Sequence, residues 1–136
     1  MNTSLLPLEK AVLEKVFSGD VPLLVQFREQ LGRCSVTTRE ATGFGFYTTL
    51  NVPESTARIP GLDFKFGDVV GEIPDLSSGV GFLIYVKDGI VSMLEGYSYD
   101  EPWPPSIDSF RLRYVGGDKR DLTTLNAALK KREGFG

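Results

Sequence analysis

The sequence predicts an α+β protein: an antiparallel sheet of five to six strands, an N-terminal αα-hairpin on one face, and a C-terminal helix. Three observations predict it. Apolar residues recur at helical spacing up to Leu31, and from Arg33 the period changes to two. Asp88-Gly89 lies between two apolar runs, the strongest short-range hairpin signal, because both turn residues need positive φ. Helical spacing returns after Gly116-Gly117. With 136 residues the chain suits one domain, with a helical hairpin over 4–32, a sheet over 33–115 and a helix over 121–132.

The first helix begins near Ser4 or Leu6 and runs to Phe17, with Pro7 tolerated in its first turn. Leu8, Val12, Leu13, Val16 and Phe17 make its apolar face, and Glu9, Lys10, Glu14 and Lys15 are assigned to water. Gly19 stops it, and Asp20 is placed to cap a second helix over Val21 to Leu31. That helix buries Leu24, Phe27 and Leu31, with Gln26, Arg28, Glu29 and Gln30 around the rest. Strands then follow at Cys34–Thr38 and Phe46–Val52, with a loop over Pro53–Pro60. Phe64–Ile73 is a less regular strand, interrupted by Gly67 and Gly71. Phe110, Leu112 and Tyr114 alternate with Arg111 and Arg113 in a last strand with one wet face. Asp121 caps the final helix, which ends on Lys130, Lys131 and Arg132, where the helix dipole favours cations.

The central hairpin organises the sheet. With Asp88 and Gly89 in the turn, Lys87 faces Ile90, Val86 faces Val91, Tyr85 faces Ser92, and the pairing continues to Phe82 facing Glu95. One face then carries Phe82, Ile84, Val86, Val91 and Met93, and the other Leu83, Tyr85, Ile90 and Leu94. Both are largely apolar, so cover is expected on both sides. Glu95 falls on the first of these faces, and a buried carboxylate must be partnered or open to a cleft. Beyond it, Tyr97, Tyr99, Asp100, Glu101, Pro102, Trp103, Pro104 and Pro105 form a stiff acidic aromatic loop. Tyr and Trp are favoured interface anchors, and prolines lower the entropy lost on docking. The structural alternative is that Trp103 folds back onto the sheet edge.

Composition narrows the chemistry. The formal net charge is −3, there is no histidine, and Cys34 is the single cysteine. Histidine-based triads, histidine or thiolate metal sites and an internal disulfide are excluded within this chain. The acidic balance argues against nucleic acid as a partner. No apolar run is long enough for a membrane span, and the first residues lack the pattern of a signal peptide, so a cytoplasmic address is expected. No cofactor or metal is expected. Gly43-Phe44-Gly45-Phe46 lacks the spacing of a phosphate loop and reads as a turn.

Leu23–Leu31, Val36–Tyr47 and Gly81–Pro104 together resemble a group of small single-domain bacterial proteins known only as hypothetical proteins. The resemblance implies a bacterial origin, and it carries neither an activity nor a catalytic residue. Arg39, Glu40 and Thr42 lie within it, as a structural ion pair at a strand end or as lining of one cleft with Glu95.

Three functions stay open from the sequence. The first is a non-catalytic protein-binding module, of immunity or accessory type, meeting a basic partner through the acidic aromatic loop. The second is a small-ligand or carbohydrate pocket, with enzymatic use of Glu95, Tyr97 and Arg39. The third is a homo-oligomer held by a strand edge. The binding residues expected are Glu95, Tyr97, Tyr99, Asp100, Glu101, Trp103, Arg39 and Glu40, with no catalytic residue assigned.

Overall fold

Pro7 opens the first helix, where its missing amide costs nothing, and the computed structural model describes residues 4–117 and 119–129. In chain order these form α1 (Pro7–Val16), α2 (Pro22–Leu31), β1 (Ser35–Ala41), β2 (Gly45–Asn51), β3 (Phe64–Phe66), β4 (Val69–Ile73), β5 (Leu76–Lys87), β6 (Ile90–Ser98), β7 (Arg111–Tyr114) and α3 (Leu122–Leu129). The α+β class holds, with one strand more than the upper expectation. The irregular Phe64–Ile73 run divides into β3 and β4 at Gly67-Asp68. Both pieces then pair with the long strand β5.

The sheet order is β1-β2-β6-β5-β4-β7, with β3 also on β5, and all pairings are antiparallel. Asp88 and Gly89 close the central hairpin with φ of 52° and 74°. A Cβ on Gly89 would lie 2.3 Å from the Ile59 carbonyl oxygen, so both backbone conformation and space demand glycine there.

The hairpin register departs from the simple count. Lys87–Ile90 and Val86–Val91 pair as expected, but Tyr85 then faces Met93, Ile84 faces Leu94, and Leu83 faces Glu95. Ser92 is the extra residue of a β-bulge, and its hydroxyl donates to the Tyr85 carbonyl at 3.1 Å. One inserted residue reverses every side chain beyond it. Phe82, Ile84, Val86, Val91 and Leu94 therefore share the buried face, while Met93 and Glu95 join Leu83 and Tyr85 on the other. The expectation that Glu95 lies among Phe82, Ile84 and Met93 is overturned by this single bulge.

Among the described residues, cover is also one-sided. Val12, Leu13, Phe17, Leu24, Phe27 and Leu125, from all three helices, enter one core with the buried face of the sheet. Phe17 packs on Phe27 at 5.0 Å between ring centres, and Phe27 on Phe64 at 6.0 Å. The opposite face carries Tyr47, Leu83, Tyr85, Met93 and Tyr97 half-buried, with no helix over it among the described residues.

Two polar residues assigned to water are buried. Gln30 of α2 is fully buried and reaches the hairpin tip, donating to the Gly89 carbonyl at 2.9 Å and the Ala57 carbonyl at 3.1 Å. Its Oε1 accepts from the Val91 amide at 2.9 Å. Glu9 is 2% exposed and belongs to the site described below. Asp20 does not cap α2, whose N-cap is Val21 without a side-chain bond. Asp121 does cap α3, accepting from the Thr123 amide at 2.9 Å. The expected basic helix end, Lys130 to Arg132, lies outside the described residues. Among those described, no helix is long and apolar enough to cross a membrane.

Gln30→Leu keeps the volume but orphans the buried Val91 amide and Gly89 carbonyl, and frees the Ala57 carbonyl at the edge of the core. Urea unfolding should show a loss of about 3 kcal/mol, since each buried unmet group costs roughly 1–3 kcal/mol. A loss under about 0.5 kcal/mol, the range of ordinary surface changes, would contradict this role.

Candidate functional site: a groove beside a buried carboxylate

Glu9 is the third residue of α1, close enough to fold back onto the amide that precedes the helix. Its Oε1 accepts from the Leu6 amide at 2.7 Å and from Arg39 Nη2 at 2.8 Å. Its Oε2 accepts from Arg39 Nε at 2.9 Å and from the Thr48 hydroxyl at 2.5 Å. Arg39 sits on β1 directly opposite Thr48 of β2, so strand pairing delivers both donors to one point beneath the helix. Burial pushes the Glu9 carboxyl up, but the bonds from Arg39, Thr48 and Leu6 outweigh it and hold the group below its ordinary range. Four donors leave this acid saturated, so it holds structure together and has no lone pair ready for proton transfer.

Arg39 is differently placed. Its Nη2 also donates to the Ser4 carbonyl at 2.7 Å, whereas its Nη1 makes no hydrogen bond among the described residues. The side chain is 29% exposed and lines a groove of about 580 Å³. Leu6, Pro7 and Leu8 make one wall, Ala41, Gly43, Gly45 and Phe46 make the floor, and Trp103 to Ile107 make the far wall. That volume lies within the ordinary range of ligand and anchor pockets, roughly 300–1,000 Å³.

The far wall is fixed by bonds from the acidic aromatic loop. The Trp103 amide donates to the Gly43 carbonyl at 2.8 Å, and its ring meets Phe46 edge-on at 5.4 Å. Glu101 is held as well, accepting from the Ser78 amide at 3.0 Å and from the Ser77 amide and hydroxyl at 3.2 Å. The Ser78 and Ser77 amides hold its carboxyl below the ordinary range. The Ser98 hydroxyl donates to the Glu101 carbonyl. Asp100, with φ of 68°, and Tyr99 remain exposed at the bend.

The expected site residues divide into two groups. Arg39 lies in the row Arg39–Thr48–Leu94, which faces the helices, and Glu95 lies in the row Glu40–Tyr47–Glu95–Leu83, which faces away. Successive strand residues alternate faces, so Arg39 and Glu95 are on opposite sides of the sheet and line no common cleft. Arg39 and Glu40 likewise do not pair, because the carboxylate of Arg39 is Glu9. Glu40 borders the groove and, by register, neighbours Tyr47 on the open face.

Glu95 sits among tyrosines. The Tyr85 hydroxyl donates to it at 2.8 Å, and burial with that bond pushes the Tyr85 phenol up to about 12. The negative charge of Glu95 is the main cause that raises Tyr47. Tyr97 is raised chiefly by burial, and its ring meets Tyr99 edge-on at 5.7 Å. Tyr97 lies flat across β5, where a Cβ on Gly81 would come within 2.5 Å of its ring.

A third polar cluster secures the other end of α1. Arg120 binds Asp68 at 2.7 and 3.2 Å and donates to the carbonyls of Lys15, Val16 and Ser18. Arg28 donates to the Phe17 and Gly19 carbonyls, and the Tyr114 hydroxyl to that of Lys15. Burial raises the Asp68 carboxyl, and Arg120 offsets only part of that. These residues complete the helix end and leave no free reactive group. Sequence reasoning missed Glu9, Thr48, Asp68 and Arg120, and the capping-box spacing of Glu9 to Leu6 is the one signal that points to any of them. No group of three or more histidine, cysteine, aspartate or glutamate residues suited to a metal occurs among the described residues.

No family model matches the chain, and no significant match is found to a curated protein or to a solved structure. The groove therefore stands on its own geometry.

Glu9→Gln should cost about 3 kcal/mol near neutral pH, the low end for breaking a buried pair. Because the folded carboxyl titrates below its ordinary value of 4.5, the unfolded chain takes up the proton first as pH falls. Wild-type stability should fall below that pH, and the gap to Glu9→Gln should narrow there. Urea midpoints across acid pH measure this. A gap that stays constant as pH falls would contradict the assignment.

Proposed function

We propose that this chain is a non-catalytic protein-binding module, and that its recognition surface is the groove between the start of α1 and the Trp103–Ile107 wall. One observation carries the reading: large exposed apolar side chains gather at this end of the molecule. Leu6, 44% exposed, forms the groove lip, and Phe44, 54% exposed, stands between two of the lining glycines. Tyr99, 48% exposed, is one residue past Ser98, whose amide donates to the Phe44 carbonyl. Such clusters beside a preformed concavity favour docking, because little order remains to be imposed when a partner arrives.

The occupant in this reading is a partner protein that inserts an apolar side chain. Its backbone carbonyl or a carboxylate would meet Arg39 Nη1 beside the inserted group. Cations flanking the anchor suit Glu40 and Asp100 at the margins, in keeping with the acidic chain as a whole. Glu9 neutralises the charge of Arg39 within the groove, so the apolar insertion dominates affinity and the acidic margin orients the approach.

The saturated Glu9 and the separation of Arg39 from Glu95 weigh against enzymatic use of these residues. They also weigh against a carbohydrate pocket centred on Glu95.

Affinity capture from the native cell, followed by cross-linking from position 41, tests the proposal. Leu6→Asp should remove the captured partner at least tenfold while the thermal midpoint stays within a few degrees. Val25→Asp, at an exposed apolar position on α2, should leave capture intact. If Leu6→Asp and Trp103→Ala both retain the same partner at the same yield, the groove is not the recognition surface.

A further inference from the structure

We infer that the free edge of β1 takes an extended segment of the partner protein as an added strand, with an apolar side chain over the groove and a basic one beside Glu40. The added strand rests on the proposed use of the groove and supplies what holds the occupant's backbone. β1 ends the sheet on one side and pairs only with β2. β7, at the opposite end, has four residues and folds back through the Tyr114–Gly117 bridge. β1 is the longer open edge, exposed from Thr37 to Ala41.

Backbone alternation identifies the groups on offer. The Thr42 amide donates to the Gly45 carbonyl at 3.0 Å, so Glu40 with Tyr47 is the next bonded pair along the ladder. The alternate residues Arg39 and Ala41 therefore point N–H and C=O away from β2. The far side of β2 agrees. The Phe44 carbonyl accepts from the Ser98 amide, so Phe46 and Thr48, opposite Ala41 and Arg39, turn their backbone groups to β6. Among the described residues nothing bonds the outward amides and carbonyls of Arg39 and Ala41. Arg39 is exposed as a residue while its side chain is only 29% exposed, so solvent reaches its backbone. Two donors and two acceptors in strand geometry match those of an extended backbone.

Side chains define the rest of the occupant. Partners across a ladder project to the same face. An added residue opposite Ala41 thus projects onto the helix side, where Ala41 and Arg39 line the groove. The residue opposite Glu40 projects to the open face beside that carboxylate. Charged side chains are the usual guards of a sheet edge. Glu9 matches Arg39, and Glu40 makes no ion pair among the described residues, so Glu40 is the guard. It turns away acidic strands and admits basic ones. The pattern recognised is an apolar residue followed by a basic one, in an extended chain.

The probe is a capped heptapeptide, Thr-Val-Thr-Leu-Lys-Thr-Thr, titrated into the full chain with backbone amide exchange read by NMR. Exchange of the Arg39 and Ala41 amides should slow at least tenfold at saturating peptide. The Glu40 amide, already bonded to Tyr47, should stay unchanged. Replacing the peptide's lysine by glutamate should weaken binding at least tenfold. Ala41→Pro removes one outward donor and no bond to β2, so it should weaken binding at least tenfold with the thermal midpoint within a few degrees. A peptide that shifts Leu6 and Trp103 without slowing the Arg39 and Ala41 amides overturns the added strand and leaves the groove reading standing. Slowing of both amides that Leu6→Asp leaves unchanged keeps the added strand and counts against the groove. Absence of binding at millimolar peptide overturns the inference.

Discussion

A carboxylate without water fixes the geometry of this protein. Glu9 is buried, and an unpaired charge there would cost several kcal/mol or lose its ionisation. The fold meets that demand with four donors from three elements: the Leu6 amide at the helix start, Arg39 on β1 and Thr48 on β2. The bonds are reciprocal constraints. They fix how α1 begins, how far it lies above the first two strands, and which way Arg39 points. The groove exists because α1 is held at that height while the Trp103 loop is tied to Gly43 across from it.

The remaining helix placements use the same device. Gln30 ties α2 to the hairpin tip through two bonds and to the Ala57 carbonyl through a third, and Arg28, Arg120 and Tyr114 donate to the last carbonyls of α1 and its exit. Polar side chains thus set the docking of helices whose apolar faces alone would tolerate sliding. All of these ties lie on one side of the sheet. Among the described residues, the other side carries the tyrosines around Glu95 and no such tie to a helix.

Helix and strand positions were largely legible, because apolar spacing and the Asp88-Gly89 turn are local signals. The face assignment of the central hairpin was not. It turns on the Ser92 bulge, and nothing in Ile-Val-Ser-Met-Leu distinguishes a bulged residue from a paired one. That one residue moved Glu95 from the core face to the open one and separated it from Arg39. Glu9 and Gln30 read as solvent-facing because both are polar residues on amphipathic helices, and their partners outside the helices' own ends lie 27 to 61 positions away in the chain. Of the acidic aromatic segment, Tyr99 to Trp103 lie past the end of β6 as expected, whereas Tyr97 lies within β6 on the open face of the sheet. The bonds that hold Glu101 were not legible, since they come from Ser77 and Ser78 on β5, 24 and 23 positions earlier in the chain.

The most direct test of the central claim is a double-mutant cycle between Glu9 and Arg39, read by urea unfolding with Glu9→Gln, Arg39→Gln and the pair. A buried, hydrogen-bonded ion pair predicts a coupling of at least about 2 kcal/mol, with the double variant less damaged than the two single losses added together. Additive losses, within about 0.5 kcal/mol, would mean that Glu9 does not hold Arg39 and that the groove is not built on their pairing.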